Sequence, residues 1–197
     1  MKRYLFVHIV LSVGLLLISG CSIITSAPSP TTPASEMTGQ GVELAPLELT
    51  SEAFAAQETI PETFTCDGED ISPPLSWNAP PDATRSLVLI MDDPDAPVGT
   101  WVHWVLFNIP DDQRAVPENV LAEDQLSDGS LHGSNSWRRS DYGGPCPPSG
   151  STHRYIFKLY ALDTQLELEA GATKQQVLDA MDGHVLAYGE LVGTYSR

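Results

Sequence analysis

The chain has 197 residues, with 15 glycines and 16 prolines, and a formal net charge of −16 at pH 7. That length suits one domain with a leader and is enough to bury a full core. So acidic a chain offers no basic face to a nucleic acid, and so much glycine and proline argues against a helical bundle and for strands joined by long loops.

The first segment reads as a processing signal. Lys2 and Arg3 form a charged start, Tyr4–Ile18 an apolar run, and Ile18-Ser19-Gly20-Cys21 follows. The run is shorter than the roughly 20 residues that a membrane span needs. The tetrad resembles the bacterial lipobox, in which the peptide is cut before a cysteine that then carries lipid. Residues 1–21 are therefore expected to be a lipoprotein signal with Cys21 as the lipidation site; a plain secretory signal or a single span is the alternative. Ser22 is not the aspartate that retains lipoproteins in the inner membrane. The expected address is the cell envelope: the periplasmic face of an outer membrane where the host has one, otherwise the outer face of the cytoplasmic membrane. Loss of Lys2 and Arg3 takes the formal charge from −16 to −18, so lipid rather than charge must hold the protein to an anionic surface.

Residues 22–45 are rich in Ser, Thr, Pro and Gly and carry no aromatic side chain, the composition of a disordered tether. The domain is expected over 46–197. Leu47 and Leu49 alternate with Glu48 and Thr50 as in a half-buried strand, and Phe54 and Ile60 are expected core anchors. Phe64–Trp77 is turn-rich, with Pro73-Pro74 forcing extended backbone. Ser86–Met91 is a buried strand. In the turn that follows, Pro94 and Pro97 remove two N–H donors, and Asp92, Asp93 and Asp95 have side chains suited to bonding their own backbone. Trp101–Ile109 is aromatic and β-branched, a second buried strand that carries His103.

Asp111–Ser130 is polar and irregular, and Gly133–Gly150 is a loop of the length that tends to be functional or disordered. His153–Leu162 is a third strong strand. Thr173–Gln176 fits a helical capping box, Val177, Leu178 and Met181 make an apolar stripe, and Gly183 supplies a stop. Val185–Tyr195 closes the chain as a strand. The elements sum to a mostly β domain with a small helical part.

Chemistry concentrates in two places. His103 and His153 each sit in a strong strand beside a proline-rich loop. A lone histidine of that kind is more often a core residue, but here Asp93 and Asp95 lie upstream of one, and Tyr155 shares the strand face of the other. Two imidazoles and a phenol could converge on an oxyanion. Pro94, Pro97, Pro147 and Pro148 would stiffen the rim, and Gly143 and Gly144 would let backbone amides approach the anion. Cys66 and Cys146 lie in loop-like sequence; in an exported protein a bridge and a pair of unlinked thiols both stand.

CDGEDISPPLSW (66–77), DDPDAP (92–97), WVHWVLFNIP (101–110), GPCPPSG (144–150) and HRYIFKLYAL (153–162) together resemble the signature of the phosphatidylethanolamine-binding protein family, nearest its bacterial Raf-kinase-inhibitor-like branch. The ending GHVLAYGELVGTYSR is similar as well, and the likeness covers Leu47–Arg197. The resemblance implies a large central antiparallel sheet packed on a smaller sheet, with one or two short helices, and a small anion pocket at one end of the large sheet. By motif position it implies ligand contacts from Asp93, Ala96, Pro97, Trp101, His103, Gly144, Pro148, His153 and Tyr155, with Asp95 fixing the loop. No cofactor and no metal is implied. The spacing through Ser149-Gly150-Ser151-Thr152 departs from the family pattern, and the C-terminal helix of animal members has no counterpart.

The expected function is a lipid-anchored, non-enzymatic binding protein. Its partners would be a phosphate-containing small molecule or lipid headgroup, and the membrane through its lipid. An inhibitor of a protease or kinase-like partner, acting through its surface, is one alternative. A hydrolase using Ser149 is another, although no G-x-S-x-G elbow occurs. A zinc site from His103, His153 and a carboxylate is the third, although no H-E-x-x-H helix occurs. In so acidic a chain an anion must be held by local donors, and a carboxylate such as Asp93 in the pocket favours a zwitterion, phosphorylethanolamine over free phosphate.

Overall fold

The computed structural model describes residues 44–197; the expected leader, Cys21 and nearly all of the expected tether lie outside them. The described residues form β1 (Ala45–Pro46), β2 (Leu49–Thr50), β3 (Leu75–Trp77), β4 (Ser86–Asp93), β5 (Trp101–Pro110), β6 (Ala115–Val116), β7 (Leu131–His132), β8 (Thr152–Leu162), the helix α1 (Lys174–Met181) and β9 (Val185–Ser196). None of their helices is long and apolar enough to cross a membrane.

The strands make a large sheet in the order β1-β9-β8-β4-β5-β7 and a small one in the order β2-β3-β6. Buried side chains run the whole length of β4, and its apolar run Leu87–Met91 is that of a central strand. The large sheet is antiparallel except at one edge, where β1 runs parallel to β9. The expected strand around Leu47–Thr50 is divided there. Ala45–Pro46 lies along the large sheet and Leu49–Thr50 joins the small one, while Leu47 and Leu49 are both buried. A proline at the sheet edge gives up no ladder bond, so the chain is free to leave one sheet for the other at that point.

Two apolar layers flank the large sheet. One lies between the sheets and gathers Leu47, Phe54, Ile60, Leu75, Trp77, Met91, Trp104 and Phe157. The other covers the opposite face, where Val177 and Met181 of α1 meet Val88, Ile90, Val105 and Phe107. The helix begins on the expected capping box: Thr173 Oγ1 accepts from the Gln176 amide, and Gln176 Oε1 accepts from the Thr173 amide. Its C-cap is Asp182, with Gly183 directly after it.

Antiparallel pairing decides where chemistry gathers. The C-terminal end of β4 lies beside the N-terminal ends of β5 and β8, through the pairs Asp93↔Trp101 and Asp92↔Ile156. All the strand-borne residues singled out above therefore fall at one end of the large sheet.

Candidate functional site

Asp93 ends β4 on the face that looks between the sheets, and His153 opens β8 on the same face. His153 Nδ1 meets Asp93 Oδ2 at 2.7 Å, with both side chains almost wholly buried. The other carboxylate oxygen of Asp93 accepts the Asp95 amide at 2.8 Å, so the carboxylate is held from two sides. A buried carboxylate survives only with such partners.

His103 arrives by a different device. Along β5, Met91 pairs with Trp104 and Asp92 with Val102, which leaves His103 as the extra residue of a β-bulge. A bulge re-aims one side chain without ending the strand. The ring lies edge-on to Tyr155 and to Trp137, with centroids 5.1 Å apart in each case. Its Nδ1 donates to the Gly143 carbonyl at 2.6 Å. Burial draws His103 below the ordinary histidine range, and the Gly143 carbonyl and Asp93 oppose that only in part. The ring is thus neutral at neutral pH, with its proton on Nδ1 and a lone pair on Nε2.

Tyr155 is fully buried, and its hydroxyl makes no hydrogen bond among the described residues. The Cys146 amide points toward this oxygen without closing a bond, and an amide donor leaves the hydroxyl proton free in any case. Burial, reinforced by Asp93, pushes the phenol well above its usual range, so it remains a donor. The Trp101 indole N–H is likewise buried without a partner. Trp101 and Trp137 pack edge to face at 5.4 Å, and the Arg139 guanidinium lies over Trp137. Two donors left unpaired beside two histidines form an arrangement that a ligand oxygen would complete.

The structure brings together Asp93, Trp101, His103, His153 and Tyr155. The remaining predicted residues stand differently. Ala96 and Pro97 lie in the turn closed by the Gly99 amide on the Ala96 carbonyl. Pro148 is exposed, and its carbonyl accepts from Ser151. The amides of Gly143 and Gly144 do not wait for an anion: the first donates to the His103 carbonyl at 3.1 Å and the second to Asp70 Oδ1 at 2.7 Å. Gly144 is a glycine because a Cβ there would strike the Phe64 carbonyl and Asp70. The expectation of amide donors is corrected accordingly; the glycine loop acts through the Gly143 carbonyl, which sets the His103 tautomer. Sequence reasoning missed that carbonyl, for which a sequence carries no signal. It also missed Trp137, whose only signal was an aromatic residue in a polar loop.

The loop is pinned from behind. Cys66 and Cys146 form a disulfide. Beside it the Tyr142 hydroxyl donates to the Phe64 carbonyl at 2.7 Å and the Cys66 amide to the Pro145 carbonyl at 3.1 Å. On the opposite face of β4, Asp92 takes Lys174 at 2.6 Å and Lys158 at 3.2 Å, which ties the start of α1 to the strand end that carries Asp93. Among the described residues no group of three or more His, Cys, Asp and Glu gathers to hold a metal. Ser149 is exposed.

Asp95 fixes the acidic turn. Arg154 bonds both its oxygens, Nε to Oδ2 at 2.9 Å and a terminal nitrogen to Oδ1 at 2.7 Å, and these bonds hold the carboxyl down to about 2. In the unfolded chain it returns to the ordinary aspartate range, so the pair stabilises fully above roughly pH 4 and its contribution is lost as pH falls through about 2. The pair is partly exposed and the effect small. Asp95→Asn is expected to lower Tm by about 2 °C at pH 7 and not measurably at pH 2, read by circular dichroism.

The family model for phosphatidylethanolamine-binding proteins matches residues 50–196. The chain belongs to the phosphatidylethanolamine-binding protein family. A UPF0098 protein of Methanothermobacter thermautotrophicus is 54% identical over 151 residues, which cover 77% of this chain and 99% of that one. Among solved structures, a phosphatidylethanolamine-binding protein homologue of Chlamydia trachomatis is 41% identical, with a TM-score of 0.71, covering 79% of this chain and 99% of its own. YbcL of Escherichia coli, described as a member of the mammalian family, is 28% identical with the same TM-score, covering 77% and 98%. The family's two-sheet architecture with little helix is the one found here.

Proposed function

We propose that this family member is a lipid-anchored, extracytoplasmic, non-enzymatic binding protein. Its cluster of Asp93, Trp101, His103, His153 and Tyr155 takes an anionic or phosphorylated headgroup such as phosphorylethanolamine. One observation carries the reading. Each histidine has its Nδ1 committed inside the fold, His153 to Asp93 and His103 to Gly143, while the Tyr155 hydroxyl beside them has no partner. Rings held in this way keep Nε2 for a ligand.

A chain of net charge −16 repels free anions at long range, so these local groups must supply the affinity. Asp93 adds a reason for a zwitterion, since an ammonium group near the carboxylate offsets the repulsion felt by the phosphate. Calorimetry on the purified domain is expected to show phosphorylethanolamine binding more tightly than inorganic phosphate. Equal affinities sink the zwitterion argument, and no heat with either ligand sinks the binding site itself. The anchor rests on the lipobox at Ile18–Cys21. Labelled fatty acid is expected to enter the intact protein and not Cys21→Ala; a variant that stays in the membrane fraction beside an unlabelled parent overturns the anchor.

A further inference from the structure

The cluster's hydrogen-bond inventory points to a narrower ligand class than "anion", and this inference rests on the binding site proposed above. We infer that the site takes a phosphoryl group in its protonated form, a phosphomonoester or hydrogenphosphate, and discriminates against groups that carry no P–O–H. The Gly143 carbonyl can only accept, so at 2.6 Å it fixes the His103 proton on Nδ1. Nε2 of His103 then presents a lone pair, since the ring's hydrogen bond among the described residues is the one from Nδ1.

An oxygen without a proton, placed against that lone pair, meets acceptor with acceptor. Sulfate is fully ionised at neutral pH, and a phosphodiester has no hydroxyl, so either leaves one polar contact unmade and repulsive. Hydrogenphosphate donates its own O–H to His103 Nε2 and still offers other oxygens to the Tyr155 hydroxyl. A monoester, whose second pKa is about 6, does the same by taking up a proton from solvent as it binds. The carboxylate side of the site points the same way. Asp93 is bonded to His153 Nδ1 and the Asp95 amide and brings a further negative charge, which favours the ligand form of lower charge. A lipid headgroup in diester linkage and a soluble monoester share the phosphoryl chemistry, and the proton separates them.

The charged and titratable groups facing His103 are Asp93 from β4, Asp92 on the reverse side of that strand, and His153 and Tyr155 from β8. Arg139 lies further out, over Trp137. Burial keeps His103 neutral at pH 7.5; acidification adds the missing proton to Nε2 and turns the acceptor into a donor.

The test is calorimetry on the protein with inorganic phosphate, phosphorylethanolamine, dimethyl phosphate and sulfate at pH 7.5 and again at pH 5. At pH 7.5 phosphate is expected to bind at least about tenfold more tightly than sulfate and dimethyl phosphate, the scale of one unmade buried hydrogen bond. Phosphorylethanolamine is expected to bind with uptake of a proton, read from the dependence of its heat on the buffer. At pH 5 sulfate is expected to gain on phosphate. His103→Gln, whose amide can present a donor, is expected to narrow the phosphate-to-sulfate ratio at pH 7.5, and the two-pH comparison on the unmutated protein stands even if that variant misfolds. Sulfate binding as well as phosphate at pH 7.5 overturns the protonated-ligand inference while leaving the anion site in place. Silence from all four probes at both pH values overturns the site as well.

Discussion

Replacing Cys66 and Cys146 together by serine is expected to cost about 4 kcal/mol of folding stability. The bridge joins residues 80 apart in sequence, and closing a loop of that size in the unfolded chain removes entropy on this scale. The native state should change little, because the bridged loops keep three other ties: Tyr142 to the Phe64 carbonyl, the Gly144 amide to Asp70, and the Cys66 amide to the Pro145 carbonyl. Against the roughly 5–15 kcal/mol by which domains are stable, the loss is a large one. It is read as a fall in the urea midpoint, with a slope that rises as the uncrosslinked unfolded chain expands, and the unmutated protein unfolded in a dithiol reductant should match the variant. An unchanged midpoint would show that the bridge constrains no unfolded chain. Ligand affinity serves as the control. If the double variant folds yet binds no ligand, the bridge itself holds the Gly143 carbonyl on His103, and the three hydrogen bonds do not suffice.

The second large effect is expected at His153. His153→Leu leaves the Asp93 carboxylate buried with the Asp95 amide as its remaining hydrogen-bond partner, and taking from a buried carboxylate the ring that hydrogen-bonds it costs about 3 kcal/mol. Leucine fills comparable space, so the loss reports the charge and not a cavity. Two further measurements isolate the cause. The deficit should shrink in acid, where a proton neutralises the stranded group. The double variant Asp93→Leu, His153→Leu should recover part of the loss, since a buried pair exchanged whole for apolar side chains is often tolerated. A single variant within about 0.5 kcal/mol of the parent would mean that water reaches Asp93 and the site is wetter than its burial indicates. The same variant is expected to bind no phosphorylethanolamine.

Much of the fold was legible because the strong elements are locally over-determined. Ser86–Met91, Trp101–Ile109 and His153–Leu162 carry enough β-branched and aromatic residues to admit one reading, and the Thr173–Gln176 capping box names its own helix start. The short strands were not legible. Ala45–Pro46, Ala115–Val116 and Leu131–His132 are two residues each, and strand pairing alone makes them strands. The same holds for the parallel edge at β1, since no local pattern says which way a two-residue strand runs beside a partner about 140 positions away.

The residue types of the site were fixed in the chain itself: a proline-bracketed aspartate, two strand histidines, and a tyrosine two places after one of them. Their meeting was not, because Asp93 and His153 stand 60 positions apart and come within 2.7 Å only through antiparallel pairing of β4 with β8. The direction of His103 depends on a bulge in β5, and its tautomer on one carbonyl of a loop held by a disulfide and three hydrogen bonds. Side-chain chemistry is a property of the residue, and so it is written in the sequence. Which lone pair faces the ligand is a property of backbone groups brought in from elsewhere, and tertiary structure alone could decide it.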